Sequence, residues 1–109
     1  MELSFENKEL RKICEDKEEA IYKFGKDVST QLQNRLSDIF AAESVEDIIA
    51  GNPRKTGEHP YLFYVINLTN EIQLKFCANN SKKKYLDNGE LDWTAITRIK
   101  LINIQSNHG

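Results

Sequence analysis

The chain has 109 residues, 39% hydrophobic and 29% charged, with a formal net charge of −2. That is enough apolar material for one core but not two, so a single domain over residues 1–109 is expected. A slightly acidic balance excludes a strongly basic nucleic-acid binder, yet the charge is uneven: residues 1–52 carry 7 Lys or Arg against 12 Asp or Glu, whereas residues 53–109 carry 8 against 5. The carboxyl-terminal half is therefore mildly basic, which is compatible with a phosphate-binding surface without requiring one.

Residues 1–6 (Met-Glu-Leu-Ser-Phe-Glu) alternate apolar and polar side chains and predict a short strand. Asn7 is placed to cap a helix over Lys8 to Glu15, where Leu10, Ile13 and Cys14 form an apolar stripe at spacings of three and four. Asp16 restarts the pattern. Ile21, Phe24, Val28, Leu32, Leu36, Ile39 and Phe40 then recur at helical spacing, with Gly25 as the expected point of a break or kink. Ser44 to Asp47 reads as a capped helical turn, anchored by Ile48 and Ile49.

Residues 50–59 hold Gly51, Asn52, Pro53 and Gly57 and predict a loop, on which Arg54, Lys55 and His59 would stand. A hairpin follows from Pro60 to Phe76. Tyr64, Ile66 and Leu68 share one face of its first strand and Ile72, Leu74 and Phe76 one face of its second, with Thr69, Asn70 and Glu71 as the turn. Gln73 and Lys75 then fall on the other face. Residues 79–90 have no apolar period and contain Lys82, Lys83 and Lys84, so they read as a mobile connection before the last strand, with a second turn at Asp87, Asn88 and Gly89. Trp93, capped by Asp92, is expected to tuck against the sheet. A last strand over Ala95 to Ile104 alternates Ile99 and Leu101 with Arg98 and Lys100.

Strand, two helices and three strands in that order predict an α+β domain, with helices on one face of a small, largely antiparallel sheet. The other face would be open, and cationic at Lys75, Arg98 and Lys100. Cys14 and Cys77 are too far apart in sequence for a metal motif, and no second Cys or His stands at ligand spacing from either. Both read as buried free thiols; no metal or other cofactor is expected. No apolar run is of membrane-spanning length and the amino terminus is not leader-like, so no membrane association is expected and the default location is the cytoplasm.

Taken together, residues 10–15, Phe24-Gly25, Leu32 to Ala42, the hairpin and Asp92 to Lys100 resemble the RelE/ParE superfamily of type II toxin–antitoxin toxins. The likeness is to the HigB, or plasmid maintenance killer, branch. It implies a RelE/ParE-like fold, entry into the ribosomal decoding site, cleavage of messenger RNA, and silencing by a HigA-like helix-turn-helix antitoxin. In that chemistry a ribose 2′-hydroxyl attacks the adjacent phosphate, so side chains must move protons and stabilise phosphorane charge, with no metal required.

The resemblance carries a catalytic role to His108, and Lys75 and Arg98 are the other catalytic candidates because they stand on polar strand faces. RNA-binding roles fall to Arg54, Lys55, Gln73, Lys82, Lys83, Lys84 and Lys100, with Tyr85 beside the lysine run able to stack on a base. The sequence departs from the family where a Trp-Arg pair is common, having Ile72-Gln73, and where an Asp-Tyr-His ending corresponds to Ser106-Asn107-His108. Lys75, two residues on and on the same face, is the only nearby substitute for the missing arginine. A non-catalytic binding module of the same fold and a ParE-like gyrase poison are the alternatives.

Overall fold

The structure, a computed structural model, describes residues 1–57 and 62–106. Strand β1 (Glu2–Phe5) leads into three helices, α1 (Lys8–Glu15), α2 (Lys17–Phe24) and α3 (Lys26–Ala41). Strands β2 (Arg54–Thr56), β3 (Phe63–Asn67), β4 (Ile72–Ala78) and β5 (Arg98–Ser106) follow. They form one five-stranded sheet in the order β1-β5-β4-β3-β2. β1 runs parallel to β5, and the other pairings are antiparallel. The expected α+β class holds, with one helix and one strand more than the sequence pattern suggested.

Helix boundaries follow local chemistry. The Asn7 side chain accepts a hydrogen bond from the Leu10 amide at 2.8 Å, and Asp16 does the same for Glu18 at 3.0 Å, so each polar residue opens a helix. Gly25, at φ +89°, ends α2 and opens α3; the long apolar stripe is therefore carried by two helices. Ser44 and Asp47 close a capping box around a 3₁₀ turn over Val45–Asp47, which buries Val45 and Ile48. Ile49 does not anchor it. It is 87% exposed because the chain becomes extended at Ile48, which turns the next side chain outward. Phe40, at 61% exposure, likewise falls off the buried stripe of α3.

The core lies between the helices and one sheet face. Leu10, Ile13 and Cys14 of α1, Ala20 of α2 and Val28, Leu32, Leu36 and Ile39 of α3 cluster with Ile66, Leu74, Phe76, Ile99 and Leu101. Full burial of a side chain such as Leu32, Leu74 or Phe76 contributes roughly 1.5–3 kcal/mol. Trp93 is buried in a 3₁₀ turn over Trp93–Ala95, with the Asp92 carboxylate accepting from the Thr94 amide at 3.1 Å. Tyr64 stacks on Phe76 (centroids 5.7 Å apart) and meets Trp93 edge-on at 5.1 Å, which makes it a packing residue. The last strand starts at Arg98 rather than at Ala95, because residues 93–95 are used in that turn.

Residues 54–56 are the main departure from the expected loop at 50–59. Gly51, at φ +86°, and Asn52, at φ 51°, reverse the chain, and the Gly51 carbonyl accepts from the Asn67 amide at 2.6 Å. The reversal lays Arg54 opposite Val65 and Thr56 opposite Phe63. A strand this short carries no periodic signal of its own. A Cβ at position 51 would meet the Asn67 carbonyl oxygen at 2.7 Å and the Ile66 side chain. Only glycine fits there.

Two outcomes follow for stability. Gly51→Ala should cost more than about 2 kcal/mol, from left-handed backbone strain plus overpacking, and lower the thermal midpoint by several degrees. An unchanged midpoint would show that the β2 reversal is not held as described. Burial pushes the Cys14 thiol from 9.0 up to about 12, with Glu15 adding to the effect. The folded state thus keeps a proton that the unfolded chain releases above pH 9, and stability falls as pH rises from 9 toward 12. Denaturant melts should show wild type losing up to about 1.4 kcal/mol per pH unit more than Cys14→Ala across that window.

Candidate nucleic-acid interface

Strand alternation divides the basic residues between two faces. Because Leu74, Phe76, Ile99 and Leu101 point toward the helices, Gln73, Lys75, Cys77, Arg98 and Lys100 point the other way. Directly opposed residues in a ladder share a face. Register therefore adds Arg54 and Thr56 of β2, Val65 and Asn67 of β3, and Glu2 and Ser4 of β1. Phe63 joins them as the partner of Thr56. A bulge opposite Lys75 and Phe76, with Ile102 as the extra residue, rephases β5 beyond Leu101.

Gln73 and Lys75 stand on the central strand β4, and Arg54 reaches toward them from the edge strand β2. The Arg54 guanidinium donates to Asn67 Oδ1 from both Nη atoms at 3.2 Å and to Gln73 Oε1 at 3.1 Å. Gln73 on β4 thus has a guanidinium beside it. It accepts from that group, which Arg54 delivers across β3 from β2. Lys75 Nζ sits 4.2 Å from the centroid of the Phe63 ring, a cation–π contact. Val65, flanked by Arg54 and Lys75 in the same row, is 3% exposed. Neither Arg54 nor Lys75 forms an ion pair with a described carboxylate.

Arg98 and Lys100 share the face but carry partners. Arg98 Nε lies 2.9 Å from Glu2 Oε2, and Lys100 Nζ lies 3.3 Å from Glu6 Oε2. Cys77, opposite Lys100, has its thiol pushed up chiefly by burial, with Glu6 pushing the same way and Lys100 and Lys83 opposing. Its thiolate is therefore disfavoured.

The remaining basic residues are dispersed. Lys55 stands opposite Tyr64 and so on the helix-facing side, at the rim of a cleft of about 650 Å³ bounded by Leu62, Leu91 and Trp93. It is separate from Arg54 although adjacent in sequence. Lys82, Lys83 and Lys84 lie on the connection between β4 and β5, where Lys83 Nζ donates to the Asn80 carbonyl at 3.2 Å. That connection is pinned by the Asn80 side chain, whose Oδ1 accepts from the Thr97 and Arg98 amides at 3.2 and 2.9 Å. His59, Tyr61, Asn107 and His108 lie outside the described residues.

What the face offers chemically is uneven. The guanidinium and ammonium of Arg54 and Lys75 are suited to phosphate charge, and Phe63 is an aromatic surface beside them. Its described proton acceptors are the paired Glu2 and Glu6. No group of three or more His, Cys, Asp or Glu able to hold a metal ion occurs among the described residues, and no helix there is long and apolar enough to cross a membrane. No protein-family model matches this chain, and no curated protein or solved structure matches it either.

Proposed function

We propose that this chain is the toxin of a type II toxin–antitoxin system, a HigB-like RelE/ParE protein that acts in the cytoplasm on ribosome-bound messenger RNA. The observation that carries the reading is the meeting of Arg54, Gln73 and Lys75 beside Phe63 on the sheet face away from the helices. A phosphodiester laid across β3 and β4 would meet two cations that no described carboxylate neutralises. Their charge would stabilise a phosphorane as the 2′-hydroxyl attacks, an electrostatic contribution of the kind that removing one donor typically lowers by 10²–10³-fold. Proton transfer is assigned to His108, on the resemblance alone. A HigA-like antitoxin encoded alongside would silence the protein by covering this face.

The second reading is a non-catalytic binding module of the same fold. It is favoured by the amides around Arg54, which orient the guanidinium, and by the scarcity of unpaired proton acceptors among the described residues of the face. Such a module would hold RNA or an antitoxin without cutting.

Inducible expression separates the readings. Wild type should arrest growth and produce new internal messenger RNA ends. Both effects should be lost in Lys75→Ala/Arg98→Ala and in Arg54→Ala at equal protein level. Normal growth with intact messages would favour the binding module, whereas arrest with intact messages and broken DNA would indicate gyrase poisoning.

A further inference from the structure

We infer that Glu2 and Glu6 are built-in competitors for RNA, holding Arg98 and Lys100 until phosphates displace them. This rests on the reading of the open sheet face as an RNA-binding surface and names what regulates its affinity. The face has two kinds of cation. Arg54 and Lys75, on β2 and β4, have neutral or aromatic neighbours among the described residues. Arg98 and Lys100, on β5, each face a carboxylate supplied by the amino-terminal strand or the residue just after it.

Register makes the arrangement specific. β1 runs parallel to β5, so Glu2 stands beside Arg98 and Ser4 beside Lys100. The Glu6 amide continues the ladder by donating to the Leu101 carbonyl at 2.9 Å, which brings its side chain within reach of Lys100. The carboxylates thus repeat along the same edge as the cations. They are also easily displaced: the Arg98 and Glu2 side chains are 53% and 73% exposed, and those of Lys100 and Glu6 are 35% and 48% exposed. Ion pairs this open to water are weak. A polyanion that brings several phosphates at once can replace them, whereas a single phosphate competes poorly against two tethered carboxylates.

The consequence is a face whose affinity depends on how many phosphates a ligand presents at once. RNA would first meet Arg54 and Lys75, then gain Arg98 and Lys100 at the expense of Glu2 and Glu6. Neutralising the carboxylates frees two cations and removes two negative charges from the path of the backbone.

The test is the binding of a fluorescein-labelled single-stranded oligouridylate to the full chain, by anisotropy, between about 50 and 200 mM salt. The variants are wild type, Glu2→Gln/Glu6→Gln, Glu18→Gln/Glu46→Gln on the helical side, and Lys75→Ala. The Glu2→Gln/Glu6→Gln variant should bind about tenfold tighter at the low-salt end, an advantage that shrinks toward about 200 mM as salt weakens the wild-type ion pairs, so its salt slope is the steeper. The helical-side variant raises net charge equally and should leave the slope as in wild type, while Lys75→Ala should weaken binding. Thermal melts of each variant confirm folding.

Unchanged affinity and slope in Glu2→Gln/Glu6→Gln, alongside wild-type binding that Lys75→Ala weakens, would overturn the competitor role and leave the RNA-binding reading intact. An equal gain in the helical-side variant would also overturn it. Absence of binding by every variant would overturn both.

Discussion

β5 lies between β1 and β4, and the rest of the structure depends on its alternation. Ile99 and Leu101 enter the core while Arg98 and Lys100 face the other way. A slip of one residue would bury the cations and expose the isoleucine and leucine. The register is held from both sides: by Leu74 and Phe76, whose burial rests on the same phase, and by β1, whose Leu3 and Phe5 pack against the core. The hydrophobic requirement on one face thereby sets the charge pattern on the other.

A second constraint builds the β2 side of the open face. Glycine at position 51 lets the chain turn back tightly against β3, and that turn brings Arg54 onto the sheet. The guanidinium then spans β3 to Gln73 on β4. A residue 19 positions away in sequence thus completes the site through backbone geometry. Its hydrogen bonds go to neutral amide oxygens, so the guanidinium is oriented while its charge stays available. Arg98 and Lys100 differ because β1 supplies them with carboxylates.

Most of the helical layer and the central hairpin were legible in the sequence, since their apolar residues recur with clean periods of 3.6 and 2. Asn7, Asp16, Gly25, Ser44 and Asp92 all punctuate as their side-chain chemistry dictates. β2 was not legible, because three residues between the turn formers Gly51, Asn52, Pro53 and Gly57 carry no period and owe their strand conformation to β3. The sequence pattern alone therefore puts Arg54 on a loop beside Lys55, whereas strand alternation sends the two to opposite faces. The sharing of one face by Lys75, Arg98 and Lys100 could be read from alternation alone. Their different electrostatic states could not, because Glu2 and Glu6 are nearly a hundred residues away in the chain and become neighbours only through the parallel β1–β5 pairing.

The central claim is that the sheet face away from the helices is where RNA binds. The most direct measurement is the mapping of amide and side-chain chemical shifts as a short single-stranded RNA is titrated into isotope-labelled protein. The account predicts shifts concentrated at Arg54, Phe63, Gln73, Lys75 and Lys100, with α1, α2 and α3 unaffected. Shifts confined to the helical layer, or to the cleft beside Lys55 and Trp93, would contradict it.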